Sequence, residues 1–436
     1  MKKVISALFV LFATSTFSQI KLIEELPNPK ICNTSEAMKS LFETNELAKK
    51  ENEAFEKFSN EYVKQHLTSK TNTAVCYIIP VVFHVYGTVH SGKTVTDAKI
   101  IAALANVNDD FWGLNADFAT VHNTFLSVRG TMPDLNFALA QIDPNGNPTN
   151  GIVYHPVAAG YGNASGYDAL IAADAWDNNK YMNVYIQNDL YNNAVLNNSG
   201  IAWYPNTFMT NNNTARVVYN GAYLGTNTNA EFASTLTHEF AHWLNLIHTF
   251  EGGCVAPNDN VADTPPCNYG GASYTCHATP TSTYPINCNT ELINAENYMD
   301  YSGASGCYKM FTQGQVARAY AGLQHAARQP LWQMSNLLAT GLSTLCLTTN
   351  INNQENLKHR LNLYPNPGQQ YVNLNVSIDL LGADYTLSNQ LGEKLLETKI
   401  NSENTKINLQ EFAPGIYFVK IIKSGEKVLV KKIIKN

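Results

Sequence analysis

The spacing of apolar positions changes several times along the chain, and each change marks an element. Between residues 94 and 112, Ile100, Leu104, Val107 and Phe111 recur at helical spacing, predicting a long helix with one face on a core. Residues 36–65 are rich in charge and carry Phe55, Phe58 and Tyr62 at i, i+3 and i+7, a second helical pattern. Segments 135–142 and 181–186 read as strands, His84 sits in an apolar strand as a core histidine, and residues 311 to about 340 are expected to contain a closing helix. Beyond an Asn-rich linker, 346–359, the period falls to two. Runs at 371–376, 385–387, 406–409 and 416–421 are separated by Gly368, Gly382, Gly392 and Pro414-Gly415. That pattern predicts a small β-sandwich over 360–436. The fold class is therefore α+β: a mixed twisted sheet with a backing helix and a second long helix, followed by a small all-β domain.

The N-terminus is a different signal. Lys2 and Lys3 precede an apolar stretch over residues 4–13, then small and polar residues to Ser18. This predicts a secretory signal peptide over 1–18, too short to span a bilayer, and no later run is long enough to do so. Composition agrees with export. Only 15% of the 436 residues are charged, against about 25% in an average soluble domain. The net charge of −6 offers no positive field for nucleic acid. Eight cysteines without a CxxC pair suit disulfides in an oxidising compartment better than a cytosolic zinc cluster.

Candidate chemistry concentrates at residues 238–248. His238 and His242 are four apart and share one helical face, the geometry that lets two imidazoles grip one zinc ion. Glu239 stands beside the metal and is placed to take a proton from a water there. His248 is six residues past His242, about 120° off that face in an unbroken helix. It can be a third ligand only if the helix stops. Asn245 stands where the break is needed and is the non-glycine residue that best tolerates a left-handed turn.

With Asn297-Tyr298-Met299-Asp300-Tyr301 downstream, the chain resembles the metzincin metallopeptidases, with Asn245 at the motif's usual glycine. The finer resemblance is to the pappalysin family, in its cytophagalysin branch. It rests on His248-Thr249-Phe250, Gly252-Gly253-Cys254, Val261-Ala262-Asp263-Thr264-Pro265, Met299-Asp300-Tyr301 and Phe311-Thr312-Gln313-Gly314-Gln315 with Arg318. The resemblance implies a secreted zinc endopeptidase with a catalytic domain over 73–345. His238, His242 and His248 would bind zinc, Glu239 would be general base, and Met299 a floor under the metal. Tyr301 would stabilise the oxyanion of a protein or peptide substrate lying along an edge strand, for which 199–205 is the candidate.

It also implies a prosegment over 19–72 whose Cys32 closes the zinc site, with Lys30 and Asn33 replacing the family's Arg and Gly around it. Disulfides Cys254–Cys288 and Cys276–Cys307 are implied too. Cys267 is left with Cys76 or Cys346 as candidate partners, and at least one cysteine stays unpaired if Cys32 is the switch. Asp259, Asp263 and Thr264 form a loop that could take structural calcium, as family members do. Leu363-Tyr364-Pro365-Asn366-Pro367, Leu391-Gly392, Pro414-Gly415-Ile416-Tyr417 and the basic terminus resemble a type IX secretion sorting domain, implying that machinery as a partner. No acid occurs in 302–306, which argues against a strict Arg or Lys cleavage preference. A non-catalytic, zinc-containing secreted adhesin or binding protein is the alternative reading.

Overall fold

The computed structural model describes residues 32–66, 77–255, 258–268, 288, 292–301, 307–343, 361–376, 381–389, 393–402, 404–423 and 426–436. The expected signal peptide, the linker, segment 302–306 and Cys76, Cys276 and Cys346 lie outside them. Among the described residues, no helix is long and apolar enough to cross a membrane.

The half expected to be catalytic is organised by strand β1 (Tyr77–Tyr86), buried at every position. Its nearly continuous apolar run marks a strand covered on both faces. It pairs in parallel with β2 (Leu135–Leu139), β3 (Ile152–His155) and β4 (Met182–Gln187). β4 pairs in parallel with β6 (Val217–Asn220), and β5 (Gly200–Ala202) closes the order β2-β1-β4-β6-β5 as an antiparallel edge. The sheet is mixed, and its β5 edge falls inside the segment expected to be one.

Helix α3 (Asp97–Trp112) backs the sheet. It is capped by Thr96, which accepts from the Lys99 amide, and ends on Gly113 at φ 69°. Ile100, Leu104, Val107 and Phe111 pack on the same core as Ile79, Val81, Phe83 and Val85. The helix that carries His238 and His242 is preceded by a separate one. One turn, Ala230–Ala233, ends where the Thr235 hydroxyl takes the Phe232 carbonyl at 2.8 Å. Helix α4 (Thr235–Trp243) then runs buried along its whole length. The segment expected to contain the closing helix holds α5 (Gln313–Gln324), with a Thr312/Gln315 capping box, then a 3₁₀ turn at Gln329–Trp332 containing Pro330, then Met334–Ala339.

The N-terminal helical segment is two helices, α1 (Thr34–Thr44) and α2 (Glu46–His66), and α2 lies against α5. The inward face of α2 is Ala48, Phe55, Ser59 and Val63, whereas Phe58 is exposed.

The C-terminal unit contains two sheets sharing one apolar core that includes Leu363, Val372, Leu387, Val419 and Ile433. One sheet orders β7 (Leu361–Tyr364), β8 (Tyr371–Val376) and β11 (Asn404–Asn408). The other contains β9 (Asp384–Asn389), β10 (Lys394–Lys399), β12 (Gly415–Lys423) and β13 (Glu426–Lys435), in the order β10-β9-β12-β13. The basic terminus is thus a strand, paired antiparallel with β12 and burying Ile433.

Two features stop α4 where the site needs it to stop. Asn245 adopts φ 78°, and the Leu246 amide returns to the Ala241 carbonyl at 2.9 Å. Gly322 of α5 lies so close that a methyl group there would strike the Leu244 carbonyl oxygen. Asn245→Gly is expected to keep wild-type folding, while Asn245→Val should cost about 1–2 kcal/mol of stability because its branched side chain opposes the left-handed turn. Chemical unfolding of the two variants checks this, and equal midpoints would disprove it.

Candidate active site

The turn at Asn245 brings three imidazoles to one point. His242 Nε2 lies 3.0 Å from His238 Nε2 and 3.0 Å from His248 Nε2. The far nitrogens show which tautomers are present. His238 Nδ1 is 2.6 Å from the Tyr298 carbonyl and His242 Nδ1 is 2.7 Å from the Leu246 carbonyl. A carbonyl can only accept, so both Nδ1 atoms carry protons and both Nε2 atoms present lone pairs. Burial, then the neighbouring His248, pushes His238 down to about 3 and His242 well below the ordinary imidazole range. Neutral rings with converging lone pairs repel one another unless a cation sits between them. A tetrahedral zinc with bonds of about 2.0–2.1 Å would set its nitrogens about 3.3 Å apart, so the donor set fits that ion.

The fourth member of the cluster is Cys32; its sulfur and the three imidazoles offer ligand atoms all within 4.8 Å of one another. Among the described residues this is the one such group of histidine, cysteine and carboxylate side chains. Cys32 Sγ lies 2.9 Å from Thr34 Oγ1 and 3.4 Å from Glu239 Oε2. Thr34 is held in turn on the edge strand, its hydroxyl donating to the Ala202 carbonyl at 3.0 Å and accepting from the Ala202 amide at 3.1 Å. Tyr301 donates its hydroxyl to the Cys32 carbonyl, with its ring 4.9 Å from that of His248.

Glu239 is fully buried, and burial pushes its carboxyl well above the usual range. Its Oε1 has no hydrogen-bond partner among the described residues. Gly200 of β5 makes its room: a β-carbon there would lie 2.6 Å from that oxygen.

Met299 is buried in the main core. Its carbonyl accepts from the Thr249 amide at 3.1 Å, tying the segment after His248 to the turn that holds His238. Three contributors were not foreseen. Asp110 of α3 accepts from Thr237 of α4 at 2.5 Å and from the Tyr298 hydroxyl at 2.9 Å, and burial raises it to about 7. Gly200 is the second. Glu251 is the third: its Oε2 lies 3.5 Å from His248 Nδ1 and accepts from Ser35 at 2.6 Å. Such partners depend on long-range packing, and only Glu251, close after His248, had a nearby sequence signal.

The expected calcium ligands do other work. Thr264 donates its hydroxyl to both oxygens of Asp259 at 2.7 and 2.8 Å, and Asp263 accepts from the Gly314 amide at the start of α5. This geometry lends calcium no support. Cys254 and Cys288 are disulfide-bonded. Cys307 is bonded too, with its expected partner Cys276 outside the described residues. Cys267, for which Cys76 and Cys346 were only candidate partners, is a free thiol, buried against Ile293, Ala295 and Phe250.

Comparison with known proteins gives this cluster a context. The peptidase M43 family model, described as pregnancy-associated plasma protein-A, matches residues 165–324. The model of a secretion system C-terminal sorting domain matches residues 362–436. An extracellular metalloprotease of Verticillium alfalfae is 31% identical over 258 residues, 56% of this chain and 74% of its own length. Another from Podospora anserina is 28% identical over 268 residues, 60% and 78%. Among solved structures, a mutant of Tannerella forsythia promirolysin aligns with a TM-score of 0.53 and 27% identity, over 71% of this chain and 99% of that one. The chain thus belongs to the pappalysin family of zinc metallopeptidases, secreted or held at the cell surface, with a C-terminal sorting domain of the type IX secretion system.

Proposed function

We propose that this metalloendopeptidase is made as a latent zymogen in which His238, His242 and His248 hold zinc, Cys32 closes the site and Glu239 is the general base. Residues 1–18 are read as signal peptide, 19–72 as prosegment, 73–345 as catalytic domain, 346–359 as linker and 360–436 as sorting domain. The observation that carries the reading is Cys32 Sγ set among three imidazoles and against Glu239 Oε2.

Bound zinc would supply Lewis acidity, polarising the scissile carbonyl and acidifying water. The remaining steps belong to the chain. Glu239, buried and short of hydrogen bonds, accepts the proton of the attacking water and returns it to the leaving amine. Tyr301 already donates to a carbonyl oxygen, that of Cys32, and would donate likewise to the substrate oxyanion. Edge strand β5 offers the Ala202 amide and carbonyl, now engaged by Thr34, to an extended substrate backbone.

Casein hydrolysis by the processed protein tests this. Glu239→Ala should lose at least about a thousandfold in activity with zinc content unchanged. Comparable activity in the variant would remove Glu239 from the mechanism. In the unprocessed chain, Cys32→Ser should raise cleavage of a short peptide at least about tenfold, since serine is a poorer zinc ligand than a thiolate. Mass spectrometry establishes that the prosegment is still attached, and unchanged latency would reject the cysteine closure.

A further inference from the structure

The catalytic segment contains a second preformed site, occupied here by the chain's own helix α2. Glu56 of α2 receives four donors, two on each carboxylate oxygen. Arg318 Nη2 and Asn245 Nδ2 meet Oε1 at 2.7 and 3.3 Å, and Arg318 Nη1 and Asn260 Nδ2 meet Oε2 at 2.9 and 3.2 Å. The donors are aimed without help from α2. Arg318 Nε is anchored on the Asn245 carbonyl at 2.8 Å, which fixes the plane of the guanidinium fork. Asn245 and Asn260 both stand at positive φ, 78° and 61°, so their backbones are fixed by the turns they make.

A second acceptor lies alongside. Glu51 Oε1 accepts from the Thr207 amide at 2.9 Å and lies 3.3 Å from His325 Nε2, while Phe55 meets the His325 ring edge-on at 4.4 Å. Every receiving group belongs to the segment read as catalytic domain. The ligand groups Glu51, Phe55 and Glu56 come from one helical face.

The side chain of Arg318 is fully buried while α2 is in place. Departure of α2 strips it of a bidentate carboxylate, and a cation left unpaired in such a slot is costly. Asp259 is close enough to act on Arg318 electrostatically, but its oxygens accept from Thr264 and the Val261 amide. The slot therefore favours a new carboxylate.

We infer that in the mature enzyme the Arg318–Asn245–Asn260 cradle is an exosite, outside the histidine cluster, for a side-chain carboxylate on an acidic helical segment of the protein substrate. The inference rests on the proposed zymogen reading, because the cradle opens only when the prosegment leaves. It adds a specificity determinant that acts through KM rather than through the cleaved bond.

Two readouts on the processed full-length protein test it. The first is fluorescence anisotropy of a labelled peptide of sequence Glu46–His66 and of its Glu56→Gln version. The second is cleavage of an unrelated octapeptide, alone and fused to each of those helices. The unaltered peptide should bind about tenfold or more tighter than the Glu56→Gln version, and its fusion should show a KM lower by a similar factor. Asn260→Asp keeps a residue tolerant of the turn but sets a carboxylate against the incoming one. It should abolish both differences while leaving octapeptide turnover within about twofold. Equal affinities, equal KM values for the two fusions, or indifference to Asn260→Asp would overturn the exosite. Inhibition by the acidic peptide without any KM advantage for the acidic fusion would overturn it too, leaving a seat for the prosegment alone. Should the processed protein cut nothing, the protease reading fails, and anisotropy still decides the cradle.

Discussion

The site depends on where two imidazole protons are held. His238 and His242 give their Nδ1 protons to backbone carbonyls, those of Tyr298 and Leu246. Each carbonyl lies in a segment that exists only because the chain has reversed: Leu246 just past the left-handed Asn245, Tyr298 in the turn before Met299. A carbonyl has no proton to offer, so the tautomers are set by the backbone and every Nε2 lone pair that follows is aimed inward. The converging nitrogens would be unfavourable by themselves. The fold holds a repulsive cluster because the surrounding core is rigid and because a cation reverses the sign of the interaction.

That rigidity comes from buried polar contacts that bind separate elements to one another. Asp110 joins α3 to α4 through Thr237 and to the Met299 turn through the Tyr298 hydroxyl. The Tyr298 backbone is thereby fixed from both ends, its hydroxyl on Asp110 and its carbonyl on His238. Asn297 and Gln315 exchange amide hydrogen bonds at 2.8 and 3.0 Å, tying the same turn to α5. Buried groups of this kind are costly unless fully paired, so each restricts the arrangement to the one that pairs it. The apolar core supplies stability; the polar contacts select the geometry.

This division explains what could be read from sequence. The active-site helix follows from the four-residue spacing of His238 and His242, and the turn at Asn245 from a steric preference of a single residue. Both are local. So is the face of α3, where Ile100, Leu104, Val107 and Phe111 all point inward. What escaped was decided by partners distant in sequence. The buried face of α2 is chosen by what α5 presents, so Ser59 and Val63 turn inward and Phe58 outward. Nothing near Gly200 announces that Glu239 lies over it. Within the sandwich expected over 360–436, the Lys431-Lys432-Ile433-Ile434-Lys435 terminus lacks a period of two, and its place as a strand is set by pairing with β12. Calcium is expected from a loop of oxygen-bearing residues, but Thr264 already donates to both oxygens of Asp259, and nothing in the loop's geometry supports the ion.

The α1 entry to the site engages the groups on which the proposed chemistry relies. An extended substrate would offer main-chain groups to Ala202, whereas Thr34 satisfies both the amide and the carbonyl of Ala202 with one side-chain hydroxyl. The backbone there is consequently free to turn into α1 instead of continuing as a strand. Tyr301 spends its donor on the Cys32 carbonyl, and Cys32 Sγ stands against the carboxylate that would activate water. The edge strand, the proposed oxyanion donor and the proposed base are thus all engaged by two residues, Cys32 and Thr34. Because the contact at Ala202 runs through a side chain, the segment mimics the polarity of a substrate without presenting an extended peptide across the site. In the proposed zymogen, resistance to self-cleavage and closure of the site would then have one physical origin: the chain turns into α1 at Thr34, where an extended substrate would have to continue as a strand.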